Sequence, residues 1–481
     1  MVEVVDSGQS SSDVHRAISN TKFPGESNCK MLRLVVSALF LIVSTSVVLY
    51  GIVNGDGSLF MKYEHLALRE RAFNALVFIV AFFTLFLNEG FQVAAMRVKD
   101  LKATDLDAYP RAKKCHSLLF PIVEGHQQSN MPRLFIGQSF LVVLCTFLLA
   151  KLTRYEDKIY ILSNSEIAAR VLSTPLMGIV FTVSLAQLLP SLLAKNYPVQ
   201  FLQLPFVYLL IKIALLIEMS GIVNCTYVMV DAINQFVCLH NSDENVGKNS
   251  NVQAGVDAIS RCKFVFSTIF TLSCVGFVFF SIGNGYSTFR IKIVSIQLGL
   301  LLFGMITVFY CEGLKIAIVC KYEEIATCAT VVSLKDNSII RTLSSTNDSV
   351  ERYLLGRQQV VVPIGFLIAQ INHFSNPSLA TNVPRLIYYL LTGFGFPAVV
   401  VMLVFSQLTP QLLAASHVEK FLELPGSLFM VKVALTIEKL GITTVISEFI
   451  EFLKMQYPPK DVRFDQIQNP LNQRHDLIDD A

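Results

Sequence analysis

The chain has 481 residues, of which 53% are hydrophobic and 16% are charged; its net charge is +3 and its mean hydropathy is +0.54. Soluble globular domains carry about 25% charged residues, so this composition excludes a water-soluble globular protein. The small net charge also gives no indication of a nucleic-acid partner. The composition therefore predicts an all-α integral membrane protein that lies in a lipid bilayer.

Polar and apolar stretches alternate along the chain. A helix needs about 20 apolar residues to cross the hydrocarbon of a bilayer, and ten stretches meet that length. Residues 1–30 form a polar N-terminal segment, residues 230–262 a polar connecting loop and residues 451–481 a polar tail. The predicted spanning helices cover residues 31–53, 72–95, 133–153, 169–195, 203–229, 263–283, 291–319, 354–373, 385–414 and 424–449.

The basic loop at residues 96–132 sets the expected orientation. It contains Arg97, Lys99, Arg111 and other Lys and Arg residues, and loops of this kind stay in the cytoplasm. With ten spans, both termini are then expected in the cytoplasm, and loop 320–353 is expected outside. The plasma membrane is the expected location.

Signatures of catalysis and of metal binding are absent from the sequence. The ten cysteines include no Cys-x-x-Cys pair, which argues against a zinc or redox site. No zinc-protease, serine-hydrolase or nucleotide-binding motif occurs in a usable context. The chain is therefore predicted not to be an enzyme and to hold no metal site.

An internal repeat divides the chain into two halves. Residues 187–222 and 407–442 align without a gap, with identical residues at 17 of 36 positions. Five spans per half is an odd number, so the second half is expected to be upside down relative to the first. Inverted repeats are typical of secondary transporters. The sequence predicts two inverted repeats of five helices, residues 31–229 and 263–450; a duplicated protein that transports nothing is the alternative.

Polar residues inside the repeated helices mark candidate sites. Gln187 and Gln407 precede prolines that are expected to end their helices, where freed carbonyls and amides could hold a cation or a polyhydroxylated solute. Ionisable residues in a span cost about 2.5–3.5 kcal/mol each and are usually paired. A symmetric solution pairs charges across the halves, as a structural lock or as part of a substrate site. The expected pairs are Lys212 with Glu438 and Lys432 with Glu218.

Two short motifs resemble those of the silicon (silicic acid) transporters of diatoms and related algae. One is Glu89-Gly90-Phe91-Gln92 and the other is Gly356-Arg357-Gln358. In that family each half carries a Glu-Gly-x-Gln and a Gly-Arg-Gln motif. This chain departs from the pattern, because its other copies read Glu312-Gly313-Leu314-Lys315 and Gly137-Gln138-Ser139.

The resemblance implies a role for these residues in the silicic acid pathway. Silicic acid is neutral near pH 7 and carries four hydroxyl groups, which amides can both donate to and accept from. The family is taken to be sodium-coupled, so a sodium ion is the coupling ion implied and no other cofactor is expected. The substrate-binding residues implied are Glu89, Gln92, Gln138, Glu312, Lys315, Arg357 and Gln358. In an inverted arrangement, Glu89 and Glu312 are expected near opposite membrane faces.

Three functions follow from the sequence and the resemblance. The first is a secondary active transporter of silicic acid that works by alternating access and is driven by sodium. The second is a transporter of another small solute or ion, such as borate, an anion or an organic solute. The third is a membrane receptor or scaffold that transports nothing. The sequence leaves open whether the chain forms a homo-oligomer.

Overall fold

The structure of the chain is a computed structural model. The model describes residues 24–54, 67–99, 101, 106–123, 126–127, 129–154, 175–240, 258–289, 291–321, 338–344, 349–374 and 384–458. Helices make up nearly all of these residues, apart from a hairpin of two-residue strands, Ile122–Val123 and His126–Gln127. The prediction of an all-α membrane protein is confirmed.

The helices follow one another with few long breaks. The α-helices of the first half are Pro24–Asn54, Ala67–Arg97, Pro110–Leu119, Met131–Leu152, Leu176–Phe181, Leu189–Asn196, Pro198–Leu202, Val207–Ser220 and Cys225–His240. Those of the second half are Ala258–Gly283, Val294–Cys320, Ser338–Leu343, Ser349–Ile371, Arg385–Tyr388, Phe396–Met402, Thr409–Ser416, Val418–Glu423, Ser427–Lys439 and Thr444–Gln456. Three π-helical segments lie between them, Thr182–Leu188, Tyr389–Gly393 and Leu403–Leu408.

Eight helical stretches are long and apolar enough to cross a membrane within the part of the chain that the structure describes. Their exposed faces carry large apolar side chains such as Leu39, Ile79 and Phe303, which suits contact with lipid tails. In chain order these first to eighth spans are Met31–Asn54, Arg71–Arg97, Met131–Leu152, Leu176–Asn196, Cys262–Gly283, Val294–Cys320, Ser349–Ile371 and Phe396–Ser416.

The fifth and tenth apolar stretches of the sequence are not continuous spans. Val207–Ser220 and Cys225–Ile233 meet at an angle of 66° across a short break. Ser427–Lys439 and Thr444–Gln456 repeat this arrangement in the second half. Each break contains a glycine in the left-handed backbone conformation. Gly221 ends the first helix of the first pair, and Gly441 lies in the break of the second pair. These two units are called the bent pairs below.

The third and seventh spans lie side by side and run in the same direction. Thr146 Cγ2 lies 3.6 Å from the position of a Cβ at Gly365. About one turn later, the Gln370 amide donates a hydrogen bond of 2.7 Å to the Ala150 carbonyl. Both contacts advance toward the C-terminal ends of the two helices. In an antiparallel pair, a step from Thr146 to Ala150 would instead move the contact toward the N-terminal end of the seventh span.

Contacts at the helix ends give the direction of the other spans. Arg154, after the third span, donates to the Thr288 carbonyl at 2.9 Å. The Ser287 hydroxyl donates to the Ile371 carbonyl at 2.7 Å. The ends of the third, fifth and seventh spans therefore share one end of the bundle, called the far end.

The opposite end is called the basic end, because the short helix with Lys113 and Lys114 packs there. Its Cys115 thiol donates to the Leu202 carbonyl at 3.8 Å. Lys195, near the end of the fourth span, forms an ion pair with Glu351 at the start of the seventh span. The fourth span therefore ends at the basic end, and the fifth span, which finishes at the far end, begins there. The bent pair between them makes no net crossing.

The inverted arrangement predicted from the sequence is wrong. Each half contributes four full spans and one bent pair, and the two halves are parallel, related by a pseudo-two-fold axis along the spans. Loop 320–353, expected outside, begins and ends at the basic end, as Lys321 and Glu351 show. The error arose because hydropathy measures how apolar a stretch is but not whether it crosses the membrane. Counting each bent pair as a crossing gave five crossings per half, an odd number, instead of four.

Labelling from either side of the membrane tests this topology. Cysteines at Asp107 and Glu419, which are both exposed, are expected to react with a membrane-impermeant maleimide from the same side. Exposed native Cys262 and Cys320 are first replaced by serine. A cysteine at Asn284, an exposed residue at the far end, serves as the control and is expected to react from the other side. Reaction of the cysteines at 107 and 419 from opposite sides would restore the inverted arrangement.

Candidate functional site

A cavity of about 50 Å³ lies between the two halves. That space exceeds the 10–15 Å³ needed for one water molecule, so it can hold a few waters or one small solute. The third and seventh spans form opposite walls, and the spans that precede and follow each of them complete the lining. The cavity therefore lies on the pseudo-two-fold axis and draws matching residues from each half.

Every substrate-binding residue predicted from the sequence lies on this cavity. Glu89 and Glu312, expected near opposite membrane faces, line the same space, so that expectation is wrong because the halves are parallel. The binding roles themselves stay predictions. The nine residues are Glu89, Gln92, Gln138, Gln187, Glu312, Lys315, Arg357, Gln358 and Gln407.

The second half places a buried ion pair on the cavity wall. Arg357 Nη1 lies 2.5 Å from Glu312 Oε1, and their side chains are only 6% and 7% exposed. The Gln411 amide donates to the other carboxylate oxygen, Glu312 Oε2, at 2.9 Å. Sequence reasoning did not select Gln411, although it stands four residues after Gln407 and so on the same face of its helix.

The first half has amides where the second half has cations. Gln138 corresponds to Arg357, and its amide donates to the Asn88 carbonyl at 2.9 Å and to Gln92 Oε1 at 3.2 Å. Gln92 corresponds to Lys315 in the repeat. The two walls thus differ in charge although their backbones match.

Two charged groups on the cavity make no direct contact with another charged side chain among the described residues. The structure shows no hydrogen bond or ion pair of Glu89 or Lys315 with a described residue, although the two interact electrostatically with each other and with the Arg357–Glu312 pair. Glu89 is 8% exposed, and a buried charge that forms no hydrogen bond is costly. The carboxylates of Glu89 and Glu312 balance the charges of Lys315 and Arg357, so the cavity has no net formal charge. The arrangement suits a neutral ligand that both donates and accepts hydrogen bonds.

Gln187 and Gln407 lie in π-helical segments of the fourth and eighth spans. The segments are Thr182–Leu188 and Leu403–Leu408, and each is followed by a proline, Pro190 or Pro410. The expectation that these prolines end their helices is wrong, because each helix continues as α-helix for several residues. A proline lacks the N–H that an α-helical ladder needs, and the wider π-helical turn accommodates that loss. π-helical turns are rare and frequent at functional sites.

The charge pairs predicted across the halves are also wrong. Glu218 Oε2 accepts from Arg133 Nη2 at 2.8 Å, and Glu438 Oε2 accepts from Arg352 Nη2 at 2.8 Å. Each pair joins a bent pair to a central span of its own half. Lys212 and Lys432 lie on the exposed faces of their helices, and the Lys212 ammonium stacks on the Tyr208 ring at 4.6 Å. Glutamate and lysine six residues apart point in different directions, and only the glutamates point toward a neighbouring span.

Comparison with known proteins assigns the family. A family model for silicon transporters matches residues 24–263 and 332–455. No curated protein and no solved structure matches the chain. The matched residues cover most of the chain, including the helices that carry Glu89, Gln138 and Arg357, although the match leaves out the span that carries Glu312 and Lys315. The chain is therefore a multi-pass membrane transporter, not an enzyme, and it belongs to the silicon transporter family.

Proposed function

We propose that this chain moves silicic acid across the plasma membrane by alternating access, driven by a sodium gradient. The observation that carries the proposal is the charge balance of the cavity between the halves. Two carboxylates and two cations cancel, and the side chains of Gln92, Gln138 and Gln358 add neutral donors and acceptors. A neutral molecule with four hydroxyl groups can form hydrogen bonds with these side chains without bringing an unbalanced charge into a low-dielectric site.

Parallel halves support alternating access in a form that differs from the sequence-based expectation. Transporters whose halves are related by an axis along the membrane normal open by rocking one half against the other around a central site. Here the axis passes between Thr146 and Gly365, beside the cavity. Rocking about this contact would separate the helix ends at one side of the bundle while it closes them at the other.

The basic end is proposed to face the cytoplasm. Arg97, Lys99, Arg111, Lys113 and Lys114 are concentrated there, and loops rich in Lys and Arg stay on the cytoplasmic side. With eight spans, an even number, both termini lie on the same side. The far end then faces the outside, where silicic acid would enter.

A second cargo class has one specific observation in its favour. The Lys315 ammonium lies on the cavity without a hydrogen bond to a described residue, whereas the resembling family motif has a glutamine at that position. An anion such as borate could bind this ammonium. The Glu89 carboxylate on the same cavity opposes an anion, so the neutral cargo is favoured.

Uptake of radiolabelled germanic acid, a chemical mimic of silicic acid, into proteoliposomes tests the proposal. We expect uptake that an inward sodium gradient stimulates and that unlabelled silicic acid inhibits. Glu89→Gln is expected to reduce uptake at least about tenfold, since a hydrogen bond to a charged group contributes about 1.5–3 kcal/mol. Lys212→Gln, which removes a charge from the outer face, is the matched control and should retain uptake.

Each outcome bears on a different part of the proposal. Uptake that silicic acid does not inhibit would remove silicic acid as the cargo. Uptake that silicic acid inhibits but sodium does not stimulate would remove only the coupling ion. Inhibition by borate or a small organic anion, with no effect of silicic acid, would favour the second cargo class.

A further inference from the structure

Lys151 is a buried cation at the far end of the third span that the binding cavity does not use. Its side chain is 1% exposed. Its ammonium donates to the Thr392 carbonyl at 2.7 Å and to the Gly393 carbonyl at 3.0 Å. Phe147, one turn earlier on the same helix, lines the cavity. Lys151 therefore lies just beyond the cavity, on the side toward the far end.

The two carbonyls belong to a break in the second half. They lie at the end of the π-helical segment Tyr389–Gly393, and the eighth span starts only at Phe396. Carbonyls at a helix end lack partners within the helix. Gly395, with φ of 65°, turns the chain here, and a Cβ at this residue would lie 2.9 Å from the Lys151 ammonium nitrogen. The break thus forms a close-fitting site for a cation, with carbonyl oxygens as ligands.

At the far end, equivalent positions of the two halves carry different side chains, a lysine in the first half and a glutamine in the second. Gln370 of the seventh span takes the position across the axis from Lys151, and its neutral amide donates to the Ala150 carbonyl at 2.7 Å. No carboxylate contacts Lys151 among the residues that the structure describes, and His373 lies close enough to interact electrostatically with both Lys151 and Arg154. Among the described residues, the Lys151 nitrogen is therefore held by backbone carbonyls alone.

We propose that Lys151 acts as a tethered cation that closes the far end of the transport path. Its ammonium fills the carbonyl site before the eighth span, and the cavity opens to the far end only when the ammonium leaves Thr392 and Gly393. Both hydrogen bonds join the first half to the second, so rocking that opens the far end must break them. The inference rests on the proposed alternating access, but not on silicic acid as the cargo.

Thiol accessibility tests the closure directly. Ser139→Cys places a near-isosteric reporter on the cavity, in a background with exposed Cys262 and Cys320 replaced by serine. A membrane-impermeant maleimide is applied to proteoliposomes from the far end or from the basic end. We expect Lys151→Ala to raise the labelling rate from the far end about tenfold or more, a shift in the open population, and to lower it from the basic end. Lys151→Arg retains the cation, but its guanidinium is larger than the ammonium, so this variant is expected to raise the far-end rate less than Lys151→Ala does.

Chemical rescue separates closure by the cation from a general effect on packing. n-Propylammonium replaces the atoms that Lys151→Ala removes, and it is expected to slow far-end labelling again. Tetramethylammonium, which has no N–H to donate, is expected to have no effect. Lys195→Gln is the matched control, because it breaks a contact between the halves at the basic end and should not raise far-end labelling.

Three results would overturn the proposal. They are unchanged far-end labelling in a folded Lys151→Ala protein, equal increases from both ends, and rescue by tetramethylammonium as well as by n-propylammonium. If the alanine variant does not fold, Lys151→Gln, which copies the residue at position 370, carries the same expectation for far-end labelling. Absence of germanic acid uptake by the parent protein, together with the expected labelling changes, would count against the cargo and not against this closure.

Discussion

Arg357→Met is expected to abolish uptake and to lower the free energy of unfolding by about 3–5 kcal/mol, because it leaves a buried carboxylate without its cation. Arg357 and Glu312 are both more than nine-tenths buried and 2.5 Å apart. After the substitution, only the Gln411 amide would remain on the Glu312 carboxylate. Detergent-denaturation titration gives the stability change, and germanic acid uptake in proteoliposomes gives the activity.

Arg352→Met on the same helix is the matched control. It breaks the pair with Glu438, but the side chains there are 37% and 23% exposed, and ion pairs open to solvent contribute about 0–1 kcal/mol. The double variant Arg357→Met with Glu312→Gln is expected to regain most of the stability, because the carboxylate that lost its ion pair is also removed, and to stay inactive. Equal stability losses for the two arginine variants would show that the pair on the cavity has no special electrostatic role.

Gly137→Ala and Gly356→Ala are expected to separate a bent pair from its central span. A Cβ at Gly137 would lie 1.8 Å from the Ala214 carbonyl oxygen, and one at Gly356 would lie 2.0 Å from the Ala434 oxygen. These contacts are with backbone atoms, which cannot rotate away as a side chain can. Overpacking of this kind costs about 1–3 kcal/mol or more. Detergent-denaturation titration is the measurement for each variant.

Gly299→Ala supplies the control for both substitutions. Gly299 also lies inside a spanning helix, but no atom lies within 4 Å of a Cβ at that position, so alanine should be neutral or slightly stabilising through its higher helix propensity. If Gly137→Ala and Gly356→Ala are as stable as Gly299→Ala, the close helix contact does not hold the bent pairs in place. Equal losses at 137 and 356 would support the matched packing of the two halves.

Much of the cavity could be predicted from the sequence, and the reason is physical. The resemblance to silicon transporters implied that Glu89, Gln138, Glu312 and Arg357 line the substrate pathway, and the cost of polar residues in lipid favours side chains that face inward. Glu89 and Glu312 were nevertheless expected near opposite membrane faces, and only the structure brings them to one cavity. Partners could not be predicted in the same way. Glu218 binds Arg133 rather than Lys432 because partner choice depends on which helices are neighbours and on the face that each presents. Gln411 was missed because its only signal is its spacing of four residues from Gln407, which places the two on the same face of the helix.

The sequence by itself determined that the chain lies in a membrane, that it consists of two similar halves, and that its inward-facing polar residues resemble those of silicon transporters. Composition and internal identity carry that information directly. Only the tertiary structure decided that the halves are parallel, because the direction of each helix follows from its contacts, such as Gln370 with Ala150. The position of Lys151 against the break before the eighth span was also decided there, since carbonyl ligands belong to the backbone and leave no mark in the residue types.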